Sequence, residues 1–332
     1  MTTRGGRVAV IGAGPAGMAT ALSVHQAGHE VLLLERYPRA RPAGNILNLW
    51  PPPIKALGLL GVDIIDLGAP CHTEFRSVSG RTRVQVELPD EVIRSYVGGF
   101  IGLLRPDLYE RLLAALPPGV LHVNHAVDRF EQDESGVRLH MADGEVIEAD
   151  VLVGADGIDS LVRRILWGDA PKREHNLHIL AGSRSTIPSR PSKPLRQWSK
   201  GRATIVGDAA HPTSPYAAYG AGMATEDGYF LGRRLAGTDL SGYAAVRQAL
   251  QEFEIPRKPH TARQVQQAFV LGKLFHHAPP PLQTVRDAIL DHTPFLQKVV
   301  GESAPGEILK QLAEIDAAEE RFAAARKPEK SS

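Results

Sequence analysis

The chain has 332 residues, of which 43% are hydrophobic and 23% charged, and its formal net charge is +1. That balance suits a globular protein of one large or two smaller domains and provides no field to recruit nucleic acid or an anionic membrane. The single cysteine, Cys71, excludes an internal disulfide, and no run of about 18 or more apolar residues offers a membrane span.

A polar N-terminus leads straight into an apolar run, so the expectation is a cytoplasmic protein without a signal peptide. Residues 8–11 read as a buried strand, 16–27 as a helix, and 31–34 as a second buried strand ending in Glu35. Between the first strand and the helix stand Gly12, Gly14 and Gly17, spaced G-x-G-x-x-G. Gly12 permits a tight turn, Gly14 lets the backbone approach a pyrophosphate, and Gly17 lets the helix pack close to the strand. The helix N-terminus faces the phosphate charge. Glu35, 18 positions after Gly17, is placed to accept hydrogen bonds from an adenosine ribose. The stretch reads as an adenine-dinucleotide site; the bland alternative is a Gly-rich turn that binds nothing.

Arg36 opens a basic loop reaching Gly44, whose arginines either meet an anion or face solvent. Trp50 and the prolines at 51–53 are expected to break regular structure, with a short helix over 54–60 stopped by Gly61. Residues 71–104 read as β structure, with clear alternation over 81–88. Arg105, Pro106 and Asp107 open a helix whose buried stripe is Leu108, Leu112, Leu113 and Leu116. A cation at a helix start is unusual, so Arg105 reads as a surface residue or as one aimed at a bound anion.

Residues 120–150 read as a β-meander turning at Ser135-Gly136 and Asp143-Gly144. A buried strand over 151–153 then runs into Gly154-Ala155-Asp156-Gly157, and Ser160 is a fair N-cap for the next helix. Residues 168–200 lack a regular pattern, and 183–194 read as loop. A third buried strand over 203–206 ends in Gly207-Asp208-Ala209-Ala210-His211. Pro212 and Pro215 hold the following loop extended, and small residues from Ala217 open a long helix to about Leu235. Beyond Leu240 the text is helical, with breaks at Pro256, Pro259 and Pro279 to Pro281, and a frayed tail from Pro328. His276 and His277 have no acid or cysteine at ligand spacing, so no metal site is expected.

The G-x-G-x-x-G turn with Glu35, the Asp156-Gly157 turn and the Gly207-Asp208 turn with its proline loop, in that order, resemble the class A flavoprotein monooxygenases. These are the para-hydroxybenzoate hydroxylase-like aromatic hydroxylases. The resemblance covers about residues 7–235. It implies an α/β fold with a Rossmann-like (GR2-type) FAD-binding domain and β-meander over 1–70, 101–181 and 201–240. A reduced β-rich substrate region over 71–100 and 182–200, and a helical C-terminal part over 241–332, complete the division.

By the same resemblance Gly12, Gly14, Pro15, Ala16, Gly17, Glu35 and Arg36 serve the ADP half of FAD. Arg105 contacts the flavin side, and Asp156 sits on a turn serving both FAD and NAD(P)H. Gly207 and Asp208 meet the ribityl and pyrophosphate region. Pro215, Tyr216, Gly220, Ala221 and Gly222 lie against the isoalloxazine ring, with Tyr219 another candidate to flank it, while His211 is structural. The implied reaction reduces FAD with NAD(P)H and delivers oxygen from O₂, through a flavin C4a-hydroperoxide, to a phenolic or polyketide-like small aromatic molecule. The implied state is a monomer or homodimer.

One departure has consequences. Only 49 residues separate Gly157 from Gly207, where the family builds a sheet over the substrate. The strands within 71–104 are then expected to lack partners, and an open edge admits water to the oxygen chemistry. That leaves two alternatives in view, an uncoupled NAD(P)H oxidase-like flavoprotein and a non-catalytic flavin-binding relative.

Overall fold

The computed structural model describes residues 6–40, 46–77, 79–96, 98–169, 178–181, 185–188, 195–213, 219–276 and 278–325. β1 (Arg7–Ile11) is followed by α1 (Pro15–Gln26) and β2 (Glu30–Glu35), and the two strands pair in parallel with Val8 opposite Val31. Residues 16 to 24 of α1 are all buried, far more than the one face a surface helix hides.

β3 (Ile46–Leu49) leads into α2 (Pro51–Leu59), which starts at the prolines expected to break structure. All three stand in the first turn, where an N–H has no helical acceptor and its loss costs little. Then come β4 (Ala69–Pro70), β5 (Glu74–Arg76), β6 (Thr82–Gln85), α3 (Asp90–Ser95), β7 (Ile101–Leu104) and α4 (Arg105–Ala115). The stretch over 71–104 is thus not continuous β structure, since α3 interrupts it. β7 is paired on both sides, by β3 and β4, and β5 pairs with β6.

β8 (Leu121–Val123) precedes the expected meander, β9 (Val127–Gln132), β10 (Val137–Met141) and β11 (Val146–Ala149). β12 (Val151–Gly154), α5 (Leu161–Trp167), β13 (His178–Ala181), β14 (Ser185–Pro188), β15 (Ser199–Lys200) and β16 (Ala203–Ile205) follow. β13 and β14 form a hairpin where loop was expected. The main sheet has the order β15-β16-β12-β1-β2-β8, parallel except for β15, so Ser199 and Lys200 extend this sheet rather than the substrate region.

α6 (Gly220–Leu235), α7 (Tyr243–His276), α8 (Pro280–His292) and α9 (Ser303–Ala325), with a π turn at Gln297–Gly301, complete the chain. α7 runs unbroken through Pro256 and Pro259, against expectation. Both prolines face solvent, and the carbonyls they leave unpaired belong to the exposed Glu252 and Ile255, where water can serve them. The tail beyond residue 325 lies outside the described residues. No helix among the described residues is long and apolar enough to cross a membrane.

The expectation that the strands within 71–104 lack sheet partners is overturned by the pairings above, and their apolar face is covered as well. Val84, Val86 and Phe100 share a second core with Leu290, Val300 and Ile308 of the C-terminal helices. Arg83 ties the β5–β6 hairpin to α8 through Asp291 at 2.7 Å and Asp287 at 3.3 Å. Helices therefore cover what a longer sheet would have covered. Replacing Leu290, 3% exposed, by alanine is expected to cost about 2–5 kcal/mol, read as a lower urea midpoint.

Candidate functional site

The turns singled out by sequence meet at one edge. β1, β2, β12 and β16 are parallel, so Gly12, Glu35, Asp156 and Asp208 all lie at or just beyond carboxyl ends of the sheet, where open α/β sheets bind ligands.

Each glycine of the first turn has its own reason. Gly12 adopts φ +102°, and a β-carbon there would lie 2.5 Å from the Ala155 carbonyl oxygen. On Gly17 a β-carbon would lie 1.8 Å from the Gly12 carbonyl oxygen. Gly14 differs: its φ is an ordinary −83°, and a β-carbon would meet only the Tyr109 hydroxyl, at 3.7 Å. Neither backbone strain nor protein packing requires glycine at position 14, so the reason left is close approach of something bound. Gly14 caps α1 without a side chain, Pro15 follows at N1, and no acid stands in the first turn. The positive helix end is left for an anion.

Glu35 has a second task beyond the ribose contact expected of it. Its carboxylate accepts from the Ala13 N–H at 3.0 Å and from the Tyr37 N–H at 3.0 Å, tying the glycine turn to the end of β2. Each oxygen keeps a lone pair for a ligand hydroxyl. Arg36 is exposed, its guanidinium over the Tyr37 ring at 4.9 Å. Asp156 caps α5, accepting from Leu161 N–H at 2.7 Å and Val162 N–H at 3.2 Å through Oδ2. Its Oδ1 is buried and has no partner among the described residues. Ser160 accepts from Arg163 N–H at 3.0 Å, as expected of an N-cap.

Asp208 is open to the groove, yet the surrounding protein strips it of enough water to push its carboxyl up, against the pull of His211, Arg105 and Arg163. Burial likewise raises Tyr109, which also feels the charges of Arg105, Glu35 and Asp208. Tyr109 is a groove residue that sequence reasoning missed. Its signal was its place four residues after Arg105, on the same face of α4. Together, an uncapped helix end, an open Gly14, an orphaned Asp156 Oδ1 and a crowded Asp208 fit an extended diphosphate-bearing cofactor.

At α6 the reasons are internal. β-Carbons on Gly220 and Gly222 would meet Thr213 at 3.0 Å and the Tyr219 ring at 2.7 Å. Ala221 stands half-buried in the first turn of α6. Pro215 and Tyr216 lie outside the described residues. Tyr219 is buried, its ring stacked on Trp50 at 4.4 Å and its hydroxyl donating to Glu226 Oε1. Burial, and then the Glu226 charge, drive that hydroxyl well above the usual tyrosine range.

Behind the Gly207 turn lies a charge network that the sequence reading did not anticipate. Asp227 Oδ2 accepts from Gly207 N–H at 3.0 Å and from His211 Nε2 at 2.5 Å, while Oδ1 accepts from Arg257 Nε at 2.9 Å. Arg257 also meets Glu226 at 2.9 Å and Gln311 at 3.1 Å. Burial alone would raise the Asp227 carboxyl, but His211 and Arg257 hold it down at about 2. His211 is thus a buttress of the turn, as the sequence suggested.

Two changes separate binding from folding. Gly14→Val is expected to leave the apoprotein melting temperature unchanged while abolishing retention of FAD on a desalting column. Asp227→Asn is expected to cost about 3–5 kcal/mol at pH 7, because buried Arg257 and His211 both lose the charge of the carboxylate they share. The Asp227 contribution is present above the unfolded carboxyl pKa of about 4 and fades as pH falls toward 2. The urea-midpoint gap between wild type and Asp227→Asn should therefore narrow from pH 7 to pH 3.

Comparison with known proteins agrees with this geometry. A family described as FAD binding domain matches residues 6–193 and 182–268. The 6-hydroxynicotinate 3-monooxygenase of Bordetella bronchiseptica is 26% identical over 77% of this chain and 90% of its own. A 3-amino-4-hydroxybenzoate 2-monooxygenase of Streptomyces platensis is 28% identical over 85% of this chain and 91% of its own. That second alignment runs over 369 positions, more than the 332 residues here, so the relative carries internal segments this chain lacks. HpxO of Klebsiella pneumoniae, crystallised with FAD and uric acid, shares the fold at TM-score 0.75 and 19% identity, over 91% of this chain and 96% of its own. A salicylate hydroxylase substrate complex does so at TM-score 0.69 and 18% identity, over 99% and 100%. The chain belongs to the FAD binding domain family, among the flavoprotein aromatic monooxygenases.

Proposed function

We propose that this FAD-dependent monooxygenase consumes NAD(P)H and O₂ to hydroxylate a small, singly ringed aromatic molecule, in the cytoplasm, as a monomer or homodimer. The relatives named for hydroxynicotinate and aminohydroxybenzoate act on substituted single rings, which supports that substrate class. The observation that carries the reading is Gly14, a glycine with no reason inside the protein, standing where three further strand ends converge.

FAD, when bound, supplies the exchange of electrons with NAD(P)H and the activation of O₂. The rest falls to the chain. In this proposal Gly12, Gly14, Pro15, Ala16 and Gly17 present a helix end to the diphosphate, and Glu35 receives the ribose hydroxyls while pinning the turn. Arg36, at the rim, adds positive charge. Asp208 and the free oxygen of Asp156 accept hydroxyl hydrogens along the cofactor. Arg105 places a cation beside Tyr109 on the flavin side. Gly207, Gly220, Ala221 and Gly222 form the mouth against the ring, where the N-terminus of α6 favours negative charge. The C-terminal helices over the β5–β6 hairpin exclude water from that side. They cover the apolar face of that hairpin, which weighs against the oxidase-like and non-catalytic alternatives.

The domain division is proposed as the sequence drew it except that Ser199 and Lys200 go with the FAD-binding sheet, with 241–332 serving as the cover over 71–100. Purified protein is expected to be yellow and to oxidise NADPH faster when a phenol is added, releasing less peroxide than NADPH consumed. Asp208→Ala is expected to lose about 1.5–3 kcal/mol of FAD affinity, tenfold or more, measured by flavin titration. Full retention of colour in that variant would remove Asp208 from the site.

A further inference from the structure

The small sheet β3-β7-β4 has two unlike faces. Leu47, Leu49, Ile101 and Leu103 turn to the main core, while Trp50, Phe100 and Cys71 pack against the second. By the alternation of a strand, Asn48 and Gly102 stand opposite one another on the second face, and Ile46 and Leu104 form the next pair along it. Ile46 and Leu104 are both 53% exposed, an apolar pair left open. Arg105 follows Leu104 directly and lies within electrostatic reach of Tyr109 and Asp208 in the cofactor groove. At the other end of the face Trp50 stacks on Tyr219, the residue before α6. The face thus leads from the groove to the start of α6.

Two residues at its middle lack an internal reason. Glycine inside a strand marks a bulge or the close approach of another group. The β3–β7 register is regular through Gly102, its φ lies outside the left-handed region, and a β-carbon there would meet only the Cys71 β-carbon, at 3.9 Å. Close approach is what remains. Asn48 donates through Nδ2 to the Cys71 sulfur at 3.1 Å, but its Oδ1 is buried and has no partner among the described residues. Burial pushes the Cys71 thiol up, so it stays neutral beside the amide. A buried acceptor left unmet is costly, and a ligand donor would meet it.

We propose that the isoalloxazine ring of FAD lies over Gly102 on this face, and that Asn48 Oδ1 accepts a hydrogen bond from its N3–H. Neither residue has a part in the site drawn above, though the assignment rests on FAD occupying the groove. Complementarity carries it. An apolar bed with a side chain missing at its centre suits a flat ring system. The one open polar atom is an acceptor, so the ring must bring a donor to its edge. Oxidised isoalloxazine carries a single N–H, at N3. Gly102 stands three residues before Arg105, about 10 Å along an extended strand, so a ring above it adjoins the groove. The Cys71 sulfur holds the nitrogen end of the amide, which leaves the oxygen for the ring.

Fluorescence titration of the full chain, stripped of flavin, with FAD and with 3-methyl-FAD tests this, because the methylated ring has no N3–H. Wild type is expected to bind 3-methyl-FAD about tenfold more weakly than FAD. Asn48→Ala removes the acceptor and makes room for the methyl group, so the two flavins should then bind within about twofold of each other. Gly102→Ala is expected to weaken FAD about tenfold while leaving the apoprotein melting temperature unchanged. Equal affinity of wild type for the two flavins, or an undiminished preference in Asn48→Ala, would overturn the hydrogen bond. Unchanged FAD affinity in Gly102→Ala would overturn the place of the ring and give the bed to another ligand, such as the substrate. Binding of neither flavin to wild type would overturn the cofactor reading and this assignment together, whereas the other outcomes leave FAD in the groove.

Discussion

The helix α1 is held between the sheet and α6 at distances that only hydrogen can occupy. A β-carbon on Gly17 would fall 1.8 Å from a carbonyl oxygen of the first turn, and one on Gly228 would fall 2.4 Å from the Thr20 nitrogen. One on Gly232 would strike Ser23 at 2.3 Å. Three glycines on two elements thus let backbone meet backbone on both sides of one helix. The position of the α1 N-terminus follows from this, and with it the place where negative charge is stabilised. The Gly207 turn rests on the same helix, its α-carbon hydrogen facing Ala16 and Ala224, where a β-carbon would come within 2.9 Å and 3.2 Å.

The other side of that turn is fixed by charge. Asp227, Glu226 and Arg257 sit in an interior where each alone would be prohibitively desolvated. Hydrogen bonds on nearly every available atom make the set tolerable, and such sets serve geometry more than stability. Here the geometry concerns Gly207 and His211, the turn that carries Asp208. The same carboxylates reach α7 and, through Gln311, α9. The Gly207 turn, α6, α7 and α9 therefore share one polar seam.

What could be read in the sequence was local. The strand, glycine and acid spacing around Gly12 to Glu35, the cap at Ser160, the meander and the helix opened by Arg105 all depend on neighbours within a few residues or one supersecondary unit. What could not be read depended on distant partners. Pro256 and Pro259 look like helix stops until packing turns both toward water. The hairpin at 74–85 looks abandoned until residues beyond 290 arrive to cover it. Tyr109 and Asp227 look like ordinary helix residues, since nothing adjacent in sequence marks a tyrosine as facing a groove or an acid as buried. The shortened interval after Gly157 was visible, but its consequence was not. Helices from the far end of the chain had replaced the sheet.

That replacement sets the order in which the protein can be made. Arg83 and Asp287 are 204 positions apart in the chain. On the ribosome the glycine-rich unit has all of its strands once β16 has emerged. The apolar side of the β5–β6 hairpin must wait for α8 and α9, translated about 200 residues later. Such long-range closure is slow, and it leaves sticky strands available to chaperones or to neighbouring nascent chains in the interval. Residues 290–312 thus act as an internal completion step for an element laid down about 200 residues before them.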